Sequence, residues 1–286
     1  MNMTNKVFTT RDKSRLMCAI WDNVDIPIGI VQIIHGIFDN MSVYDKLATY
    51  LNRNGYIVFG VDKTLNKSPR TFAKAVAQEA DIIRHLNNKY MLPIFLIGFG
   101  YGGFVAQSVI QDTDTPIAGV CLIKSGMRNR LMIRMARILA RIGAKIFGPQ
   151  AHTNIINFLK RNHCGQIQKS PMCTYDFCES LFDGMIKLDA DSKYENPILI
   201  ISGAAESDPT SASFSRALYN AYHNNDLINT TLLVYPDMQN KLLLEMNCGR
   251  VQGDILSFFN DANLLYQSDT LANSNGTIFN KSDGAN

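Results

Sequence analysis

Leu92 to Gln107 reads LPIFLIGFGYGGFVAQ. An apolar β-run, Pro93 to Ile97, meets a glycine cluster and then an apolar helix start at Phe104, Val105 and Ala106. This is the layout of a nucleophile elbow, G-x-S-x-G, a tight strand-to-helix turn that thrusts one residue outward. The flanking positions are small because the turn leaves no room for side chains beside the central one. Gly98, Gly100 and Gly102 hold that spacing. Such a turn serves acyl transfer: a hydroxyl attacks a carbonyl, a base takes its proton, and a carboxylate orients the base. The residue at the tip here is Gly100, which has no atom that can attack.

The elements around this turn can be read from periodicity. Short apolar, β-branched runs recur at Ile28–Ile34, Tyr56–Val61, Pro93–Ile97, Ile117–Ile123, Pro197–Ile201 and Thr230–Tyr235. Segments of helical period lie between most of them: Val43–Asn54, Phe72–Tyr90, Gly103–Asp112, Phe214–His223 and Lys241–Phe259. Strands alternating with helices predict an α/β fold, a mostly parallel central sheet with helices on both faces. The alternation breaks between Ser125 and Leu188, a basic and mostly helical stretch inserted between two strands. It is expected to cap the C-terminal edge of the sheet, where open α/β folds bind ligands. The expected organisation is a core in two parts, residues 1–124 and 191–262, a helical basic cap at 125–190, and a disordered tail at 263–286. The polar, Asn- and Ser-rich sequence after Gln267 motivates the last of these.

At 286 residues and 46% hydrophobic, the chain is long enough for one well-buried core. The N-terminus lacks an apolar signal-peptide region, and no uncharged apolar run approaches the ~18–20 residues of a membrane span. The six cysteines form no C-x-x-C pair and read as free thiols, so a cytoplasmic location is expected. No metal or other cofactor is expected, since Cys164 beside His163 has no second ligand cluster. Charge is uneven. Thr115 to Tyr175 holds ten Lys and Arg and no Asp or Glu, so with +3 overall the remainder is acidic.

Several separate segments carry a resemblance. VQIIHGIFDNMSVY resembles an oxyanion stretch H-G-x-x-E-x-s-x-x-Y, with His35, Gly36, Asp39 and Tyr44 in register. LNRNGYIVFGVD, SPMCTYDFCESLFDGM, NPILIISGAAESDP and LLVYPDMQNKLLLE follow in matching order. Over roughly Val7 to Asn260 the chain resembles the monoacylglycerol lipase and lysophospholipase group of α/β-hydrolases, the serine aminopeptidase-like superfamily. The resemblance implies the α/β-hydrolase fold with a helical cap. It places the nucleophile position at Gly100, the acid at Glu206 with Asp208 as alternative, and the base at Asn240, which is neutral and takes no proton near pH 7. A further signature, D-H-x-G-H-G, has become DKTLNK at Asp62 to Lys67. It also implies an oxyanion hole formed by the backbone N–H groups of Ile37 and Tyr101, which side-chain drift does not erase. His35, Gly36, Gly98 and Gly102 are then structural. In subtilisin, losing the nucleophile or the base alone lowers turnover by about 10⁶-fold.

The expected function is therefore a degenerate lipase-like protein that binds a lipid-like or acyl ligand, or a partner, without ordinary hydrolysis. The alternatives are an active ester hydrolase with a relocated triad, Ser125 being one candidate nucleophile, and an interaction scaffold with a collapsed pocket. GFGYGG also spells G-x-G-x-x-G at Gly98, Gly100 and Gly103. Several strands precede it and no carboxylate ends the next strand, which argues against a dinucleotide. His85 and His223 read as surface histidines, and Cys164 and Cys178 as packing or exposed thiols. Arg130, Arg134, Arg137, Arg141 and Lys145 recur at three- and four-residue spacing among Leu131, Ile133, Met135, Ile138, Leu139 and Ile142. One reading is a cap helix whose apolar face packs on the core. The other is a helix that docks on an anionic membrane surface and makes the protein peripheral. Nucleic acid is not expected, since no recognisable nucleic-acid module accompanies the basic patch.

Overall fold

The computed structural model describes residues 3–37, 39–62, 71–111, 115–126, 130–155, 173–188, 194–204, 209–225, 229–238 and 248–279, with backbone only at 209–211 and 271–279. The chain opens with a hairpin of β1 (Thr4–Thr9) and β2 (Arg15–Trp21) and continues through β3 (Gly29–Ile34). A 3₁₀ turn at Met41–Tyr44 leads into α1 (Asp45–Arg53), followed by β4 (Tyr56–Val61), α2 (Phe72–Tyr90), β5 (Ile94–Phe99), α3 (Tyr101–Ile110) and β6 (Gly119–Ile123). An insertion follows, made of α4 (Arg130–Phe147), β7 (His152–Thr153), β8 (Cys173–Thr174) and α5 (Tyr175–Lys187). The chain then returns through β9 (Ile198–Gly203), α6 (Pro209–His223), β10 (Thr230–Tyr235) and α7 (Cys248–Phe279).

Eight strands form one sheet in the order β1-β2-β4-β3-β5-β6-β9-β10. Pairing is parallel from β4 to β10 and antiparallel for β1–β2 and β2–β4. Every residue of β3, β4, β6 and β9 is buried. That is why these strands read as continuous apolar runs: a parallel sheet is covered on both faces. Side chains alternate between two cores. Ile30, Ile34, Leu96, Leu122 and Ile200 face one side with α2, α3 and the insertion. Val31, Ile33, Ile97, Cys121, Ile123, Leu199 and Ile201 face the other with α1 and α7.

Two expectations are corrected. The β1–β2 hairpin has no counterpart in the sequence reading. β1 is an exposed edge, TNKVFT, whose polar run carries no burial signal. The tail expected to be disordered from residue 263 continues α7 as far as Phe279. Ala262 is buried and Asn263 Nδ2 donates to Ile28 O at 3.2 Å, which ties down a full turn at this point. Beyond it, elongation adds one hydrogen bond per residue fixed, so a polar sequence can stay helical.

Candidate functional site

β5 ends at Phe99 and α3 begins at Tyr101, so the whole reversal falls on Gly100, at φ +55° and ψ −109°. This is the left-handed half of backbone space, where a side chain is strained. Gly100 N donates to Ile123 O at 2.9 Å, and Gly103 N donates to Gly100 O at 3.0 Å. These bonds pin the turn to β6 and to its own helix. A Cβ on Gly100 would meet nothing within 4 Å among the described residues. The neighbouring glycines differ. A Cβ on Gly98 would lie 2.7 Å from Gly102 O and Gly103 Cα, and one on Gly102 would collide with the carbonyl of Ile34. Gly98 and Gly102 therefore let α3 sit directly on β5 and β3, while Gly100 has open space in front of it.

The loop after β3 lies at the same edge, because Ile34 pairs with Gly98. Tyr44, buried at the end of the 3₁₀ turn, accepts a hydrogen bond from Gly36 N at 3.3 Å and donates to Asp39 Oδ2 at 2.9 Å. Burial, followed by the nearby Asp39 carboxylate, pushes the Tyr44 phenol well above its usual range, so it remains a donor. His35 is buried and its Nδ1 donates to Gly36 O at 2.6 Å. The four residues that matched the oxyanion stretch thus fold one loop. With Gly36 N engaged by Tyr44, no hydrogen bond within the described residues uses the N–H of half-buried Ile37. Tyr101 opens α3, at the positive end of its dipole. Its ring is buried against Phe72 of α2 and Phe177 of α5, at centroid distances of 6.0 and 5.8 Å. The insertion therefore reaches the residue next to Gly100.

Glu206, Asp208, Asn240 and residues 63–67 lie outside the described residues. The strands leading to them do not. Gly203 ends β9 opposite Tyr235, which ends β10. Ala204 N donates to Tyr235 O at 2.9 Å. Both strands thus finish at the sheet edge that carries the Gly100 turn, β9 separated from β5 by β6 and β10 lying one strand farther out.

Ser125 is buried and its Oγ accepts from Gln107 Nε2 at 2.8 Å, while Gln107 Oε1 accepts from Tyr222 OH at 3.2 Å. Its hydroxyl belongs to a packed polar network that holds no base among the described residues. Hydrogen bonding with Cys173, then burial, pushes the Cys178 thiol far above its usual range, away from the reactive thiolate. His85 and His223 are exposed, the first edge-on to Phe8 and the second stacked on Tyr219. Sequence reasoning missed Lys124. It holds φ +53° at the end of β6 and places Nζ 5.8 Å from the centre of the Phe99 ring, next to the turn. A lysine after an apolar strand gives no warning of that placement.

The strand order, the Gly100 reversal and the Gly36–Tyr44 loop describe one architecture, and residues 25–247 match the family described as serine aminopeptidase, S33. The chain belongs to this family. Monoglyceride lipase of Rattus norvegicus is 21% identical over 270 residues, spanning 82% of this chain and 86% of the relative. Among solved structures, a lipase in an open form aligns with a TM-score of 0.77 at 14% identity over 92% of this chain and 99% of its own. A soluble variant of monoglyceride lipase from Saccharomyces cerevisiae, in complex with a substrate analog, aligns at 0.65 with 15% identity over 91% and 95%. These structural likenesses establish the α/β-hydrolase fold; the sequence match places the chain in the monoglyceride lipase-like group of it.

Proposed function

We propose that this chain is a family member without ordinary serine-hydrolase activity, which holds an acyl or lipid-like ligand at the Gly100 turn beneath the insertion. One observation carries the reading: Gly100 keeps the strained elbow conformation and, among the described residues, leaves the space in front of it open, although glycine supplies no nucleophile. The Ile37 N–H, unengaged among the described residues, and the start of α3 offer donors for a carbonyl or carboxylate oxygen. Asn240 at the base position and Gly100 at the tip together remove two of the three functional groups that acyl transfer needs. A relocated triad draws no support from the engaged hydroxyl of Ser125 or the buried thiol of Cys178.

The test is ligand binding measured beside turnover. Purified protein should release fatty acid or monoacylglycerol on organic extraction, detected by mass spectrometry. It should also bind a medium-chain fatty acid by calorimetry while hydrolysing p-nitrophenyl esters no faster than the buffer. Protein that carries and binds no acyl compound would favour the scaffold reading. Ester turnover abolished by changing one Ser, Thr or Cys would favour the relocated triad.

A further inference from the structure

Lys124 stands beside the Gly100 turn in a conformation that lysine rarely adopts. In the parallel ladder Phe99 pairs with Ile123, so Gly100 and Lys124 are the next residues of the two strands. Gly100 N donates to Ile123 O, which holds the two backbones together at this point. Lys124 has φ +53°, and a residue with a side chain keeps such a backbone only where its surroundings fix it. They do so on both sides. Lys124 N donates to Ile201 O at 2.9 Å, and the next carbonyl, Ser125 O, accepts from Ser215 Oγ at 3.0 Å. The half-buried side chain places Nζ 5.8 Å from the centre of the Phe99 ring, within the range of a cation–π contact. Phe99 immediately precedes Gly100, so the ammonium is anchored at the turn itself. On the other side of the Phe99 ring lies Tyr44, whose hydroxyl engages the Asp39 carboxylate at 2.9 Å.

We propose that Lys124 makes the Gly100 turn selective for the carboxylate of a fatty acid over the neutral ester of the same chain. The inference rests on the reading of this turn as an acyl site and names which acyl compound it holds. An ester carbonyl needs hydrogen-bond donors alone, and the Ile37 N–H and the start of α3 supply those. A carboxylate brings a full charge and a second oxygen, and a fixed ammonium beside the donors complements both. A cation in this place offers a hydrolase little, because the ester substrate is neutral and the released acid would be retained. In a chain whose turn ends in glycine, that retention becomes the useful property.

The experiment is isothermal titration of the full chain with decanoate and with monodecanoylglycerol at about pH 7, where the first is ionised and the second neutral. Wild type should bind decanoate roughly tenfold or more tighter than the ester, the gain of a charge-assisted contact. Lys124→Gln should lose that preference and bind the two compounds alike, with ester affinity unchanged. Lys124→Arg, which restores the charge, should keep the preference. Retained ester binding shows that the Gln variant is folded. A wild type that binds both compounds equally overturns the inference and leaves the acyl-site reading standing, as does a Lys124→Gln protein that still prefers decanoate. A wild type that binds neither compound overturns both.

Discussion

Replacing Gly100 and Gly102 separately by alanine measures whether the reversal is built as described. At Gly100 the added methyl meets none of the described residues, so the penalty is conformational. A residue held at φ +55°, ψ −109° costs about 1–3 kcal/mol. Restricting the unfolded chain returns about 0.4–1 kcal/mol. The net loss should be about 1–2 kcal/mol, a fall in melting temperature of roughly 2–3 °C for a chain of this size. At Gly102 the methyl is driven into the backbone of Ile34, and it also lies 2.8 Å from His35 O. Ile34 belongs to β3 and cannot turn aside. α3 must lift from the sheet, which places the cost at the top of the range for overpacking, about 3 kcal/mol or more, even after the better helix propensity of alanine. Thermal melting followed by circular dichroism should therefore rank Gly102→Ala well below Gly100→Ala. Equal melting temperatures, or a larger loss at Gly100, would refute the packing argument.

Two further outcomes are expected. Gly100→Ser/Asn240→His should recover measurable p-nitrophenyl ester hydrolysis, with Glu206 orienting the new histidine; a folded but inert double variant would show that these positions do not converge. Asp183 is held below the usual carboxylate range, first by its hydrogen bond with Lys187 and also by Arg137. A depressed native pKa gives stability that is fully present above the unfolded value of about 3.9 and is lost as pH falls through the lower native value. Asp183→Asn should thus lower the melting temperature at pH 7, and the loss should shrink as pH falls below about 3.9, where the unfolded carboxylate is protonated; a loss that does not shrink on acidification would contradict this.

Much of this fold was legible because burial writes itself into composition. The runs GIVQII, YIVFGV and ILIISG are apolar but for Gln32 and Ser202, since both faces of those strands are covered. The spacing of Gly98, Gly100 and Gly102 announced the turn because two of those positions face backbone with no room for a side chain. What stayed hidden depended on partners distant in sequence. TNKVFT is a strand only because β2 pairs with it. The rotation of α4 was undecidable from its own sequence, which offers both a small-residue face and a large one. The choice is made by Glu179 and Asp183, some forty residues away. The loop at His35 to Tyr44 was recognised by resemblance, yet the role of its tyrosine, bridging Gly36 N to Asp39, needed coordinates.

The central claim is that an intact hydrolase turn ends here in backbone alone. Incubation of the purified wild-type protein with a fluorophosphonate probe, read by intact-protein mass spectrometry, addresses it most directly. The account predicts an unmodified mass, because Gly100 offers no oxygen to phosphonylate and the Ser125 hydroxyl is engaged by Gln107. One probe per chain, mapped by peptide sequencing to a residue beside Gly100, would contradict it.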